Sequence, residues 1–306
     1  LLVHEGIPGR QSSKGTADVA RNLQKDIDLA GRTGGVDILI TGHAHQGTSK
    51  ALVSNGTLIV STDALGIELG RLDIVYNPQT DKISSYTNKL EYLFDDEVED
   101  DPETLEAINR WKEKLSGIIG EKVCTLSGPL SRSYGEESTL GNMVADAMLH
   151  ACPGYDFAVI NSGGLRQDIE AGVVTFGNLV SAFPFPNTVV KLEMKGSDII
   201  KVFEHSAGQT NGILQISRGA VLRLDEKLPI GGRVVSFTIN GSEIEREKIY
   251  KLLAPNFLAG GGDGFLAFRN AISAFDTHEP VVQPMLKYMK SFELYIPKLE
   301  SRIIKQ

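Results

Sequence analysis

The chain has 306 residues, 41% of them apolar and 23% charged, with a formal net charge of −8. That length suffices for about two domains, and the composition is ordinary for a folded globular protein. The acid excess excludes a nucleic-acid duplex as partner, because no basic field replaces its counterions, and no apolar run of about 18 residues or more is present to span a membrane.

A small anionic substrate stays compatible with the charge, since a few arginines or a metal can reverse the sign inside a cleft. The two cysteines, Cys124 and Cys152, give no disulfide framework. In apolar company they read as inert core thiols, with a single bridge left open for an oxidising compartment.

In chain order, Leu1–Val3 reads as a short buried strand ending at His4. A chain that opens inside a strand, without an initiator Met or a signal peptide, is expected to be a fragment or processed product. Residues 16–30 repeat apolar positions at helical spacing, through Ala17, Ala20, Leu23 and Ile27. Gly34-Gly35 ends that pattern. VDILI (36–40) is a continuous apolar strand, TLIVST (57–62) another, and ELGRLDIVYN (68–77) a third. Strand, helix, strand, loop and further strands make a layered α/β sheet, in which ligands gather at loops past the carboxyl ends of strands. An acidic block, FDDEVEDD (94–101), then precedes Pro102 and a helical pattern marked by Leu105, Ile108, Leu115 and Ile119. Proline at the first helical position with acid ahead of it suits a helix start. The block itself reads as a solvated helix entrance.

The later part has its own rhythm. STLGNMVADAMLHA (138–151) is helical with a Ser or Thr cap, and DFAVIN (156–161) is a buried strand leading into SGGLR. NTVVKLEM is a strand, GSDIIKVFEHSAG a helix, RVVSFTING and KIYKLLAP strands, and NFLAGGGDGF a glycine-rich loop. The expected organisation is residues 1–94 as one part, 95–120 as a linking helix, and 121–306 as a mixed α/β domain.

Three of the six histidines fall at loop positions within the first 45 residues. His43 and His45 share the turn GHAH after an apolar strand, and His4 follows an earlier strand. Imidazole is a common ligand for transition ions. Taken alone, GHAH could be unrelated polar loop residues; the strand before it and the strand-end His4 shift the reading toward a metal site. His150 and His205 sit late in predicted helices, where a positive charge complements the dipole. His278 lies in a polar loop. In the later part, the turn at 161–166 can offer backbone N–H groups and the Arg166 guanidinium to an anion. Arg132, in LSRSYGEES, is a second positive group. Phe185 lies between two prolines that stiffen its backbone, and Phe257 precedes three glycines and Asp263. Two ring faces on stiff loops could sandwich a flat base, although on spacing alone core packing is the plainer reading of each.

Taken together these motifs resemble the 5′-nucleotidase family, a metallophosphatase domain joined to a nucleotidase C-terminal domain. The resemblance rests on LLVHEG, ITGHAHQG, ESTLGNMVADAM, NSGGLRQDIEAGVVTFGNL, FPFPNTVVKLEMKG and NFLAGGGDGF, all in family order. It implies an α/β chain: the C-terminal part of a layered metallophosphatase domain (1–94), joined by a helix to a substrate-binding domain (121–306). It implies that His4, His43 and His45 belong to a centre of two divalent ions, with Zn, Mn, Fe or Co all compatible with imidazole. Some members carry Gln where His45 stands. It implies that Arg132 and Arg166 meet substrate phosphate or carboxylate-like oxygens, that Phe185 and Phe257 clamp the nucleobase, and that Asn187 contacts it. It further implies that Asp263 holds the ribose hydroxyls and that Gly212 lines the nucleoside pocket. The Arg132 match is the loosest, because spacing before the ES-x-LGN helix varies.

Family members carry D-x-H, GD-x-x-D and GN-H-[DE] motifs in the metallophosphatase domain, the last supplying the catalytic histidine, and none occurs in residues 1–94. The expectation is therefore a 5′-nucleotide phosphohydrolase of periplasmic, secreted or cell-surface location. This chain would carry no catalytic residue of its own and hydrolyse poorly alone. UDP-sugar hydrolysis, 2′,3′-cyclic-nucleotide phosphodiesterase activity and a non-catalytic nucleoside-binding module are the alternatives. A sulfur-containing substrate is disfavoured by the presence of both phenylalanines.

Overall fold

The computed structural model describes residues 1–5, 16–209 and 212–306, which form two compact units, Leu1–Ala107 and Ile108–Gln306. Gly6 of LLVHEG, Asn211 of NGILQ and the side chain of Ala17 lie outside what is described.

In the first unit the single helix expected over 16–30 divides into α1 (Thr16–Asn22) and α2 (Gln24–Arg32). Leu23, at the break, is fully buried. Periodicity carries across such a break unchanged, so the apolar pattern alone cannot show it. A three-stranded sheet follows. Within it β1 (Ile38–Thr41) and β3 (Thr57–Ser61) run parallel, and β2 (Leu52–Ser54) pairs antiparallel with β3. Leu1–Val3 lies beside β1, with the Val3 N–H donating to the Ile40 carbonyl at 3.0 Å and the Ile40 N–H to the Leu1 carbonyl at 2.9 Å. The burial expected there is corrected: Leu1 and Leu2 are 54% and 77% exposed. The small core is Ala30, Leu39 and Ile59, with Val3, Ile27, Leu29 and Leu52 packed on it. A long antiparallel ribbon, β4 (Glu68–Asn77) with β5 (Lys82–Tyr92), completes the sheets of this unit.

The helix expected over 95–120 is shorter: α3 runs Pro102–Ile119, and the unit boundary falls within it. The acidic block stays outside. Asp101 acts at the helix entrance, accepting from the Thr104 N–H at 2.8 Å, and the bonds from Thr104 hold its carboxyl below the usual carboxylate range.

The second unit is organised on a five-stranded sheet with order β10-β7-β14-β9-β15. Its strands are β7 (Phe157–Asn161), β9 (Thr188–Lys195), β10 (Leu214–Ile216), β14 (Ile249–Pro255) and β15 (Ser273–Pro280). Alternate residues of β7 enter two different cores, Ala158 and Ile160 one, Phe157 and Val159 the other. Successive strand side chains point to opposite faces, so both faces of the sheet are covered, which is why DFAVIN reads as continuously apolar. One core holds residues of α4 (Thr139–Ala151), α5 (Phe176–Ala182) and α8 (Val282–Lys290). The other holds α6 (Gly196–Gly208) together with a four-stranded sheet. That sheet comprises β11 (Ala220–Leu224), β12 (Val234–Ile239), β13 (Ser242–Glu243) and β17 (Ile303–Lys305). A three-stranded sheet of β6 (Lys122–Leu126), β8 (Gly172–Thr175) and β16 (Leu294–Tyr295) and the short helix α7 (Asn256–Ala259) complete it. His278, expected in a polar loop, lies in β15 where the pairing with β9 slips, and its φ is 58°.

Cys124 and Cys152 are free thiols, and burial pushes both above the ordinary thiol range.

Candidate functional site

Strand direction decides where the second unit's candidate residues meet. β7 and β14 are parallel, while β9 opposes β14 and β10 opposes β7. The carboxyl ends of β7 and β14 therefore share one sheet edge with the amino ends of β9 and β10. Asn161 and Arg166 follow from β7, Phe185 and Asn187 lead into β9, Gly212 leads into β10, and Phe257 and Asp263 follow β14. Register ties these loops together: Leu214 faces Asn161, Pro255 faces Val189, and the Thr188 N–H reaches Asn256 Oδ1 at 3.3 Å.

Arg132 joins this edge through Arg166. Its Nη1 donates to the Arg166 carbonyl, and its backbone N–H donates to Asp168 Oδ1 at 2.9 Å. The Arg132 Nε lies 3.5 Å from the same carboxylate oxygen. Arg166 donates from Nη1 to the Gly163 carbonyl at 3.2 Å, and its guanidinium carbon lies 5.9 Å from the centre of the Phe185 ring. Both guanidiniums are therefore anchored, and several N–H groups of each have no partner among the described residues.

The turn beneath them is built on a buried polar network. Ser138 caps α4, its hydroxyl accepting from the Gly141 N–H at 3.0 Å. The fully buried Gln215 accepts from the Ser138 N–H at 2.8 Å and donates to Ser162 Oγ at 3.0 Å. A Cβ on Gly141 would lie 2.3 Å from Gln215 Cγ. The LGN motif is thus glycine at its centre because that side chain crosses it. Gly212 has φ 113°, which favours glycine, and a Cβ there would lie 2.5 Å from the Tyr134 carbonyl oxygen. The Ile213 N–H donates to that same carbonyl at 2.8 Å. Asn161 Oδ1 is buried and has no hydrogen-bond partner among the described residues.

Phe185 and Phe257 are 43% and 40% exposed, unlike the fully buried Phe157, Phe183, Phe203 and Phe237. Core packing, the plainer reading of their spacing, therefore does not describe them. Asn187 is half-buried, its carbonyl accepting from the Val281 N–H at 2.9 Å. The glycines after Phe257 have specific neighbours. Gly262 lies under the Phe257 ring, and Gly261 against the Arg269 guanidinium, which donates from Nη2 to the Gly260 carbonyl at 2.8 Å. Asp263 is exposed with φ 52°. His205 does more than complement the α6 dipole: its Nε2 lies 2.9 Å from the Asp263 carbonyl oxygen.

In the first unit, His4 and His43 are together. His43 Nδ1 lies 3.2 Å from His4 Nε2, and the ring centroids are 4.8 Å apart. Two nitrogens bound at about 2.0–2.1 Å to one tetrahedral ion stand about 3.3 Å apart, so the pair fits as two ligands of a single divalent ion. His45 does not complete a trio, since among the described residues no three His, Cys, Asp or Glu side chains gather as a metal site. The turn itself is unusual. His43 and His45 have φ of 70° and 50°, on either side of the buried Ala44. Non-glycine residues seldom adopt that region, and such strain concentrates at binding sites. Beneath the turn, Thr41 Oγ1 donates to the buried Asp26 Oδ1 at 2.6 Å. Burial raises the Asp26 carboxyl above its ordinary range despite that bond.

Residues 120–270 match the family model for the 5′-nucleotidase C-terminal domain. The chain is 27% identical to human 5′-nucleotidase, over 92% of this chain and 56% of that protein. It is 28% identical to a snake venom 5′-nucleotidase from Gloydius brevicauda, over 92% of this chain and 55% of the relative. It thus spans about half the length of these curated relatives. Its fold superposes on the crystal structure of a 5′-nucleotidase precursor from Thermus thermophilus with a TM-score of 0.79 and 25% identity, covering 92% of this chain and 62% of that one. Residues 120–270 thus carry a 5′-nucleotidase C-terminal domain, in a chain similar to 5′-nucleotidases along nearly all its length.

Proposed function

We propose that the whole protein hydrolyses 5′-nucleotides to nucleoside and phosphate. In this reading 1–94 belongs to a metallophosphatase domain, 95–120 links, and 121–306 binds the nucleoside. The observation that carries it is the gathering of Arg132, Arg166, Phe185, Phe257 and Asp263 on one sheet edge, with both phenyl rings exposed.

The two rings stack on the base, worth about 1–3 kcal/mol per base, and Asn187 meets its polar edge. Gly212 keeps the pocket wall flat, and Asp263 accepts from the ribose hydroxyls. Arg132 and Arg166 donate charge-assisted hydrogen bonds to phosphate oxygens. Holding base, sugar and phosphate at once orients the ester and removes its translational freedom before reaction. His4 and His43 present neutral imidazole nitrogens to one divalent ion, with His45 as a ligand of a two-ion centre of Zn, Mn, Fe or Co. Such ions, when bound, supply Lewis acidity toward a phosphate ester.

Turnover of 5′-AMP by this chain alone is expected to be slow, because the described residues gather only two ligands of that centre. A relative from venom supports a secreted, periplasmic or cell-surface place. Among the described residues no helix is long and apolar enough to cross a membrane.

The test is a calorimetric titration with adenosine of the chain and of a Phe185→Ala, Phe257→Ala double variant. Binding by the parent that weakens at least tenfold in the double variant supports the reading. A folded parent that does not bind adenosine would overturn it.

A further inference from the structure

α6 ends beside the glycine-rich loop, and two of its neighbouring side chains reach the same atom. His205 Nε2 lies 2.9 Å from the Asp263 carbonyl oxygen, and Gln209 Nε2 donates to that oxygen at 2.9 Å. The two residues stand one helical turn apart, and their polar ends touch. The Gln209 amide donates one N–H to the Asp263 carbonyl, and the His205 ring nitrogen beside it either takes the second amide N–H or, in its other tautomer, donates to the same carbonyl. The ring is itself fixed. It stands edge-on to the buried Phe265 with centroids 4.6 Å apart, and a Cβ on Gly264 would lie 3.1 Å from its Cε1.

What this contact restrains is an otherwise disfavoured backbone. Asp263 has φ 52° and ψ 22°, between Gly261 at φ 85° and Gly264 at φ 79°. A left-handed conformation is disfavoured for a non-glycine residue, and the glycines on either side leave the segment free to relax into other conformations. A side chain's direction follows from its backbone, so turning the 263–264 peptide would swing the Asp263 carboxylate. Two side chains at that peptide's oxygen, from the end of α6 in the same core layer as the loop, restrain the turn.

We propose that His205 and Gln209 are positioning residues for Asp263: from the end of α6 they hold the loop so that its carboxylate stands where a ribose diol meets it. The inference rests on the reading of Asp263 as the sugar-binding acid. It makes sugar recognition, and not base stacking, the property that depends on α6.

The experiment compares adenosine with free adenine, measuring both dissociation constants by calorimetry on the full chain. The variants are His205→Ala, Gln209→Ala, His205→Gln and Asp263→Ala. Expected is a fall of about tenfold in the preference for adenosine over adenine in Asp263→Ala and in His205→Ala, and a smaller fall in Gln209→Ala. Adenine affinity should be unchanged in all of them, and His205→Gln, which keeps a donor, should recover most of the preference. A preference lost in Asp263→Ala but intact in both His205→Ala and Gln209→Ala would overturn the inference and leave the sugar-binding reading standing. Equal loss of adenine and adenosine in His205→Ala would also overturn it, by showing a general structural role. An intact preference in Asp263→Ala itself would mark the failure of the underlying reading. Gln209→Ala and His205→Gln keep the test available should His205→Ala not fold.

Discussion

The Phe257 ring lies flat against Gly262, so close that a Cβ on the glycine would stand 2.5 Å from the ring's Cζ and 2.6 Å from its Cε2. Gly262→Ala must therefore displace the ring. The ring is 40% exposed, so it can swing outward at little cost to folding. Adenosine affinity should fall by roughly 5- to 150-fold, the equivalent of about 1–3 kcal/mol of stacking, with the melting temperature nearly unchanged. Gly260→Ala is the control, because a Cβ there meets only the Asn256 carbonyl at 3.3 Å and the Phe257 carbonyl at 3.7 Å. Calorimetry on the two variants decides it: equal affinities would show that the ring does not depend on Gly262.

Asp146 and Arg302 form a two-bonded ion pair at 2.7 and 2.8 Å, with side chains 7% and 5% exposed. Arg302 also donates to Glu300 and to the Ile216 carbonyl, tying the last strand to α4 and β10. Arg302→Met leaves a buried carboxylate without its counter-charge, which costs about 3–5 kcal/mol in comparable pairs. Removing both charges, in Asp146→Leu with Arg302→Met, should recover much of that. Urea unfolding of the parent and both variants measures it, and a single variant as stable as the parent would show that the pair contributes nothing to holding the tail.

Much of this molecule is legible in the sequence, and what is not has a physical reason. The strand–helix order and the convergence at strand ends follow from apolar runs of the right length and from punctuating glycines. GHAH and NFLAGGGDGF announce themselves because unusual residue types stand close together in the chain. The role of His205 does not, because its partner, Asp263, is 58 positions away and its place near a helix end already had a sufficient local explanation. The break at Leu23 is hidden because the helical repeat continues through it. Burial of Phe183 beside exposure of Phe185 is likewise a matter of tertiary neighbours, with two identical residues in FPFP carrying different tasks.

Asp26 gives a stability prediction with a definite sign. It is fully buried, one oxygen accepts from Thr41, and burial raises its pKa in the folded state. A carboxyl with a raised folded pKa binds more protons folded than unfolded, so stability falls as pH rises from the ordinary carboxylate range through the raised value. The contribution is favourable in acid and lost as pH rises through the raised value. Asp26→Asn keeps an acceptor for the Thr41 hydroxyl and removes the buried charge. It should therefore be at least as stable as the parent at neutral pH, with the advantage shrinking near pH 4. Denaturant unfolding at the two pH values checks this, and a variant that is less stable at neutral pH would show that the ionised form has a favourable partner.

Gly42 is the position where the metal reading of the first unit can be tested without removing a ligand. A Cβ there would stand 3.1 Å from His4 Nδ1 and 3.6 Å from its Cε1, so Gly42→Ala tilts the ring. Its Nε2 then moves off the 3.2 Å spacing to His43 Nδ1 at which both nitrogens reach one ion. Disturbing the orientation of a ligand usually lowers metal affinity by about 10- to 100-fold. Competition against a chromophoric chelator should show Zn²⁺ binding weakened to that extent in Gly42→Ala, and more in His4→Ala and His43→Ala. Should Gly42→Ala match the parent while His4→Ala loses the ion, the ring has room to adjust and the glycine serves the turn alone. Should both histidine variants bind as the parent does, the pair is not the site, and the strain at His43 and His45 needs another cause.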